Sequence, residues 1–240
     1  IRIKKMSEIS KVYHQHHFAS KEQQYEAAKF GMWAFLVTEV LTFAGLFCAY
    51  AVLRLQFPET FEACSKSLDT QMGLINTIVL ITSSLTMALS IYFIQNNDKK
   101  KTIIMLSLTL FFACAFMVIK YFEYSHKFDV GELPAKFYSY TGIPQYLPEG
   151  CAQLVNGQII FNGYCENTNP GLYFSVYFMM TGLHGVHVVG GMIVIAVMLI
   201  NTYKNKYSSE YYTPIEVTGL FWHLVDLVWI FLFPLLYLIG

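Results

Sequence analysis

Residues 171–202 read GLYFSVYFMMTGLHGVHVVGGMIVIAVMLINT. No Asp, Glu, Lys or Arg interrupts this run, and the charge-free interval around it extends from Asn167 to Tyr203. At 1.5 Å per residue, a helix of this length more than crosses a hydrocarbon core of about 30 Å. The run lacks strand-like alternation, and in lipid only a helix or a closed barrel satisfies every backbone group. Working outward, Thr70–Asn97 and Thr102–Ile119 are equally free of charge. Spans are read at about 30–53, 71–95, 102–125, 171–202 and 216–239. The fold class is all-α: a polytopic transmembrane helix bundle with five spans.

Composition agrees. Of 240 residues, 55% are hydrophobic and only 13% charged, against about 25% charged in a soluble domain. The 16 basic and 16 acidic side chains cancel, and without a basic stripe nucleic-acid binding is excluded. No phosphate-cradling glycine loop, dinucleotide fingerprint or nucleophile elbow is present. Residues 1–29 form a basic polar segment without the apolar core of a removable signal peptide. Residues 30–240 form the transmembrane domain.

Lysine and arginine set the expected orientation, since positive loops stay in the cytoplasm. Arg2, Lys4, Lys5, Lys11, Lys21 and Lys29 precede the first span; Lys99, Lys100, Lys101, Lys204 and Lys206 fall on the same side. The opposite side holds Arg54, Lys66, Lys127 and Lys136. The N-terminus is therefore expected inside and the C-terminus outside. The segment 126–170 becomes an outer loop, irregular in composition and with room for a short hairpin around Asn156-Gly157. Cys151 and Cys165 within it are candidates for a disulfide in an oxidising compartment, two free thiols being the alternative. Cys48 and Cys114, in mid-span, are read as packing residues.

Ionisable groups inside a span need a partner or a role. Glu39 is about 13 Å into the first span, Asp226 about 15 Å into the last, and His184 about 18 Å from the outer end of the fourth, by helical rise. These depths coincide. His187 and His223 match one layer nearer the cytoplasm. His184 and His187 share a helix face, as do His223 and Asp226, and Glu216 with His223. A buried network of Glu39, His184, His187, Glu216, His223 and Asp226 is expected if the helices bring those faces together. Three readings stay open: interhelical hydrogen bonds that fix packing, a proton relay, or a metal held by His-x-x-His with a carboxylate. Gly182, Gly185 and Gly190-Gly191 suit close helix packing or an interface, as does Asn76 on the second span. Lys120 and Glu123 are spaced for an ion pair near the outer end of the third span. Trp222 and Trp229 are read as lipid or subunit contacts, and His14, His16 and His17 as a solvated tail.

In this order these residues resemble subunit III of the haem-copper oxidases, the family of cytochrome c oxidase. Phe30-Gly31-Met32 through Thr38-Glu39-Val40 to Gly45-Leu46-Phe47 looks like the family's third helix, with Glu39 as its carbodiimide-reactive glutamate. Leu74-Ile75-Asn76-Thr77 resembles the start of the next. Lys120-Tyr121-Phe122-Glu123-Tyr124 looks like its K/Q-x-x-E-Y motif. Thr181-Gly182-Leu183-His184-Gly185-Val186-His187-Val188 is similar to T-G-x-H-G-x-H-V, and Trp222-His223-Leu224-Val225-Asp226-Leu227-Val228-Trp229 to W-H-F-V-D-x-V-W.

The resemblance implies a subunit without catalytic residues, metal or cofactor of its own, part of an oxidoreductase complex of the cytochrome c oxidase type. It implies packing against core subunit I, which holds haem and copper, beside other oxidase subunits. Holding membrane lipids, structural phospholipids among them, supporting proton uptake and slowing inactivation are the implied roles, with oxygen access through the lipid cleft also proposed for the family. The implied location is the bacterial cytoplasmic (inner) membrane. Longer members carry two more N-terminal helices, so this chain resembles the short five-helix form. Its 126–170 loop is longer than in compact members and is expected to dock an outer-face, cytochrome-containing partner. A quinol oxidase or a nitric oxide reductase system would carry similar signatures. A small proton or metal transporter, and a membrane enzyme with a His-x-x-His metal, are the readings from other classes.

Overall fold

The computed structural model describes residues 18–132, 134, 152–155, 158–161 and 170–238. His14, His16, His17, Cys151, Cys165 and most of the 126–170 loop lie outside the described residues. The helices, in chain order, are α1 (Lys21–Gln56), α2 (Pro58–Ser65), α3 (Thr70–Gln95), α4 (Lys99–Val130), α5 (Pro170–Tyr203) and α6 (Thr213–Phe233). A π turn, Pro234–Leu238, continues α6. All but α2 are long and apolar enough to cross a membrane, giving five spans. Between α4 and α5, β1 (Ala152–Val155) and β2 (Gln158–Phe161) pair antiparallel, with Val155 opposite Gln158 across Asn156-Gly157.

Local chemistry sets the helix ends. Ser20 Oγ accepts from the Gln23 amide at 3.1 Å while Gln23 Oε1 accepts from the Ala19 amide at 2.7 Å. This reciprocal cap starts α1 at Lys21, well before its apolar run. Asp69 caps α3 by accepting from Gln71 and Met72 amides. Asp98 caps α4 through the Lys101 amide after a left-handed Asn97, φ 59°. Lys101 also pairs with Asp98 at 2.9 Å and holds its carboxyl below the usual range. Gly131, at φ 93°, closes α4 in the left-handed region that glycine occupies without strain. The stretch after Pro58, read from sequence as a turn, is helical as α2, with proline at its first position.

The bundle packs around α6. Half of its span is buried, against 17% of α1's. Helices α3 and α4 form the most extensive pair, and α6 rests on α3, α5 and α1. Gly191 of α5 lets this happen: a Cβ there would lie 2.7 Å from the Trp222 ring. Trp222 and Trp229 are wholly buried, donating Nε1–H to Ser83 Oγ and Thr77 Oγ1, each at 3.0 Å. This corrects the lipid-facing reading of both: their indoles span the α3–α6 seam, where hydroxyls complete them. Cys48 and Cys114 are likewise corrected, since both are exposed on the bundle's outside. Among the described residues the buried thiol is Cys64 of α2, whose pKa burial and the nearby Glu132 push up. Leu41, Leu74, Leu85, Phe111, Val186 and Ile193 sit on the outer surface, the apolar exterior a bilayer requires.

Candidate functional site

Buried polar groups gather in two layers. The first is near mid-bundle. Glu39 of α1 and His187 of α5 meet, Oε2 to Nε2, at 2.8 Å. His187 Nδ1 lies 2.8 Å from the Leu183 carbonyl, and the rings of Phe43 and Phe221 flank the imidazole. A carbonyl only accepts, so Nδ1 carries a hydrogen. Nε2 then accepts from a protonated Glu39 or, as an imidazolium, donates to a carboxylate. In both forms one proton lies between the two side chains and the pair is neutral overall.

The other members of the expected network do not join that pair. His184 faces away from α1, with Trp229 at 5.3 Å and Phe116 edge-on at 5.7 Å; neither ring nitrogen has a hydrogen-bond partner. His223 Nδ1 binds Ser84 Oγ at 2.6 Å. Asp226, 3% exposed, lies close to Ser84, whose hydroxyl can donate to it while accepting from His223 Nδ1. Glu216 lies at the α1 entrance, accepting from Tyr25 at 2.9 Å and Lys29 at 3.0 Å. Glu39, matched in depth with His184 and Asp226 by helical rise, pairs instead with His187, read one layer nearer the cytoplasm; the direction in which each helix turns its residue assigns the rest to other neighbours. Among the described residues no three His, Cys, Asp or Glu converge as a metal would require.

The second layer lies toward the α2 end. Lys120 and Glu123 of α4 pair at 2.8 Å as their spacing predicts, yet both are buried. Lys120 also donates to Tyr237 Oη at 2.8 Å, Tyr177 donates to Glu123 at 2.6 Å, and Tyr237 closes the ring by donating to Glu123. The ammonium sits 4.4 Å from the Trp229 ring centroid, a favourable cation–π placement. Lys127 and Glu132 form a further buried pair at 2.7 Å. Tyr50 and Tyr173 hydroxyls reach the Leu235 and Leu236 carbonyls at 2.7 and 3.1 Å, satisfying acceptors a helix end leaves open. Sequence reasoning missed these tyrosines, Lys127 and Glu132, and Ser84, Tyr25 and Lys29 as well. A lone hydroxyl far along the chain carries no spacing signal; only the proline at 234 hinted at a disturbed helix end.

Gly182 and Gly185 line a groove of about 620 Å³ between α4 and α5, with Phe116, Lys120, Tyr124 and Thr181. A Cβ at either glycine would meet nothing within 4 Å. They open a surface rather than seat a neighbouring helix of this chain, so within the chain close packing belongs to Gly191. Asn76 is fully buried, and both its amide atoms lack partners.

Comparison with known proteins places this geometry. The family described as cytochrome c oxidase subunit III matches residues 3–145 and 163–240. The chain belongs to that family. The gap in the match, 146–162, contains both strands of the β1–β2 hairpin. Among relatives of this subunit III chain, the "Probable quinol oxidase subunit 3" of Staphylococcus saprophyticus is 26% identical over 88% of this chain and 89% of its own. That of Staphylococcus aureus is 26% identical over 92% and 93%. The "Heme-copper oxidase subunit I+III" of Aeropyrum pernix is 26% identical over 87% of this chain, which spans only 22% of that longer protein. The relatives thus carry the names of quinol oxidase and haem-copper oxidase subunits, and this chain is an integral membrane protein of the cytochrome c oxidase subunit III family.

Proposed function

We propose that this chain is the non-catalytic subunit III of a respiratory haem-copper oxidase in the bacterial cytoplasmic membrane, N-terminus inside. It packs against the core subunit I, where haem and copper reduce oxygen, and contributes stability, lipid retention and support of proton uptake. The observation that carries this reading is the Aeropyrum relative, whose name joins subunit I and subunit III in one chain of which this sequence spans 22%. Glu39 and His187 are the residues we assign to proton handling, because they hold one exchangeable proton between two helices. The electron donor is cytochrome c by the family resemblance; the quinol reading is favoured by the staphylococcal names.

A mild-detergent pull-down from native membranes, read by absorption spectroscopy and peptide mass spectrometry, tests the assignment. A polytopic partner with haem and copper, leaving this chain colourless after dissociation, is the expected result. Oxygen uptake by that complex with reduced cytochrome c, then with a quinol, assigns the donor. Recovery of the chain alone and without haem would overturn the reading in favour of a transporter.

A further inference from the structure

The α3–α4 and α5–α6 connections meet at one end of the bundle. Lys99 Nζ donates to Asn205 Oδ1 at 3.3 Å, a bond between residues 106 positions apart. Asn97 and Asn205, at φ 59° and 56°, turn the two connections in the left-handed region. Lys100, Lys101, Lys204 and Lys206 each stand one or two residues from this contact. Neighbouring Cα atoms are about 3.8 Å apart, so these charges lie on the scale of the Debye length, about 8 Å at physiological salt, and their fields add.

Little answers that charge. Asp98 is held by Lys101 at 2.9 Å, and Glu210 lines a cavity with Lys21, Glu22 and Tyr25 on the α1 side. Lys100, Lys204 and Lys206 are exposed, and no carboxylate among the described residues pairs with them. Tyr92 and Tyr203, in the last turns of α3 and α5, are 59% and 76% exposed. Tyrosines so placed sit at the headgroup level of a bilayer, and lysine stems reach from there to the phosphates. Lysines scattered over any loops of one side would serve orientation equally. Here two distant loops are bonded so that their lysines form one patch.

We propose that this patch binds the headgroup of an anionic phospholipid in the adjoining leaflet, with Lys100, Lys204 and Lys206 as its phosphate ligands. The Lys99–Asn205 bond holds the two halves of the site together. Basic surfaces beside membrane helices select anionic headgroups in this way. The site lies on two loops rather than between helices. It rests on the membrane spans and not on the oxidase reading, so the full-length chain alone serves for its test.

The chain is reconstituted in phosphatidylcholine vesicles with spin-labelled phosphatidylglycerol or spin-labelled phosphatidylcholine, and the immobilised fraction of each label gives their relative affinity. Phosphatidylglycerol should be preferred, and salt should weaken the preference. Lys100→Gln, Lys204→Gln and Lys206→Gln should each reduce it by up to about fivefold, and the three together should abolish most of it. Asn205→Gly keeps the left-handed turn but removes the acceptor of Lys99, and should cost part of the preference with every lysine in place. Lys4→Gln with Lys5→Gln and Lys11→Gln removes equal charge elsewhere and should leave the preference standing. Equal affinity of the unsubstituted chain for both labels would overturn the proposal, whether or not a variant folds. Loss of preference in the N-terminal triple variant alone would overturn it in favour of bulk charge. Unchanged preference in Asn205→Gly would overturn the two-loop site in favour of independent lysines. Inorganic phosphate should displace no more label than chloride at equal ionic strength; greater displacement would overturn the lipid in favour of a free anion.

Discussion

Lys120 brings a full charge into a core of aromatic rings, and its worth depends on staying paired. Removing one member of a buried ion pair costs about 3–5 kcal/mol, whereas replacing both by apolar groups is often close to neutral. Lys120→Met should therefore destabilise strongly, while Lys120→Met with Glu123→Met should regain much of the loss; a double-mutant cycle on thermal unfolding measures the difference. Glu39 belongs to the opposite case, a pair defined by a movable proton. Glu39→Gln keeps a hydrogen bond to His187 and removes the proton. Electron transfer should remain intact and carbodiimide labelling should disappear, with a mild loss in proton uptake or in activity over long turnover. Complete loss of oxidase activity in a normally assembled variant would contradict the non-catalytic reading. At this scale the sequence was legible in part. The spacing of Lys120 and Glu123 announced their pairing, whereas depth matched Glu39 with His184 and missed His187 by a layer. Tyr177 and Tyr237 were silent, because nothing local distinguishes a tyrosine that completes a distant carboxylate from one at the membrane interface.

Helices were more legible than side-chain partners, since charge-free runs mark spans directly. The span read as 30–53 is a helix from Lys21 to Gln56; its polar first turns escaped hydropathy, although Ser20 and Gln23 spell a capping signal. Glycine shows what sequence cannot supply: Gly182 and Gly191 look alike in a string, but only Gly191 faces an indole. Gly191→Ala should cost about 1–3 kcal/mol as Trp222 is displaced, and Gly182→Ala should leave unfolding of the isolated chain unchanged. A Gly182→Ala variant defective only in the complex would show that something fills the α4–α5 groove there. The α3–α4 turn carries a pH dependence of known sign. Asp98 has a lowered pKa when folded, held by Lys101, so its stabilisation is present above the unfolded carboxylate pKa and lost as pH falls through the folded one. Protection of the Lys101 and Thr102 amides against hydrogen exchange, taken relative to the intrinsic rate at each pH, should fall in acid and not near neutrality.

At the scale of the whole molecule, the β1–β2 hairpin falls in the stretch that the family match leaves out. Deleting 135–165 should release an outer-face partner while co-purification with the haem-bearing partner persists; unchanged recovery of every partner would remove a docking role from the loop.

The grip of two tyrosines, a lysine and a glutamate on the turn after α6 bears on how the chain is made. Translation delivers α1, α4 and α5 to the membrane before α6 exists. Until it arrives, Tyr50 and Tyr173 have no Leu235 and Leu236 carbonyls to bind, and Lys120 and Glu123 lack Tyr237. A nascent chain stalled before Pro234 is the form a membrane quality-control protease should recognise, and completion of one turn is what ends that state.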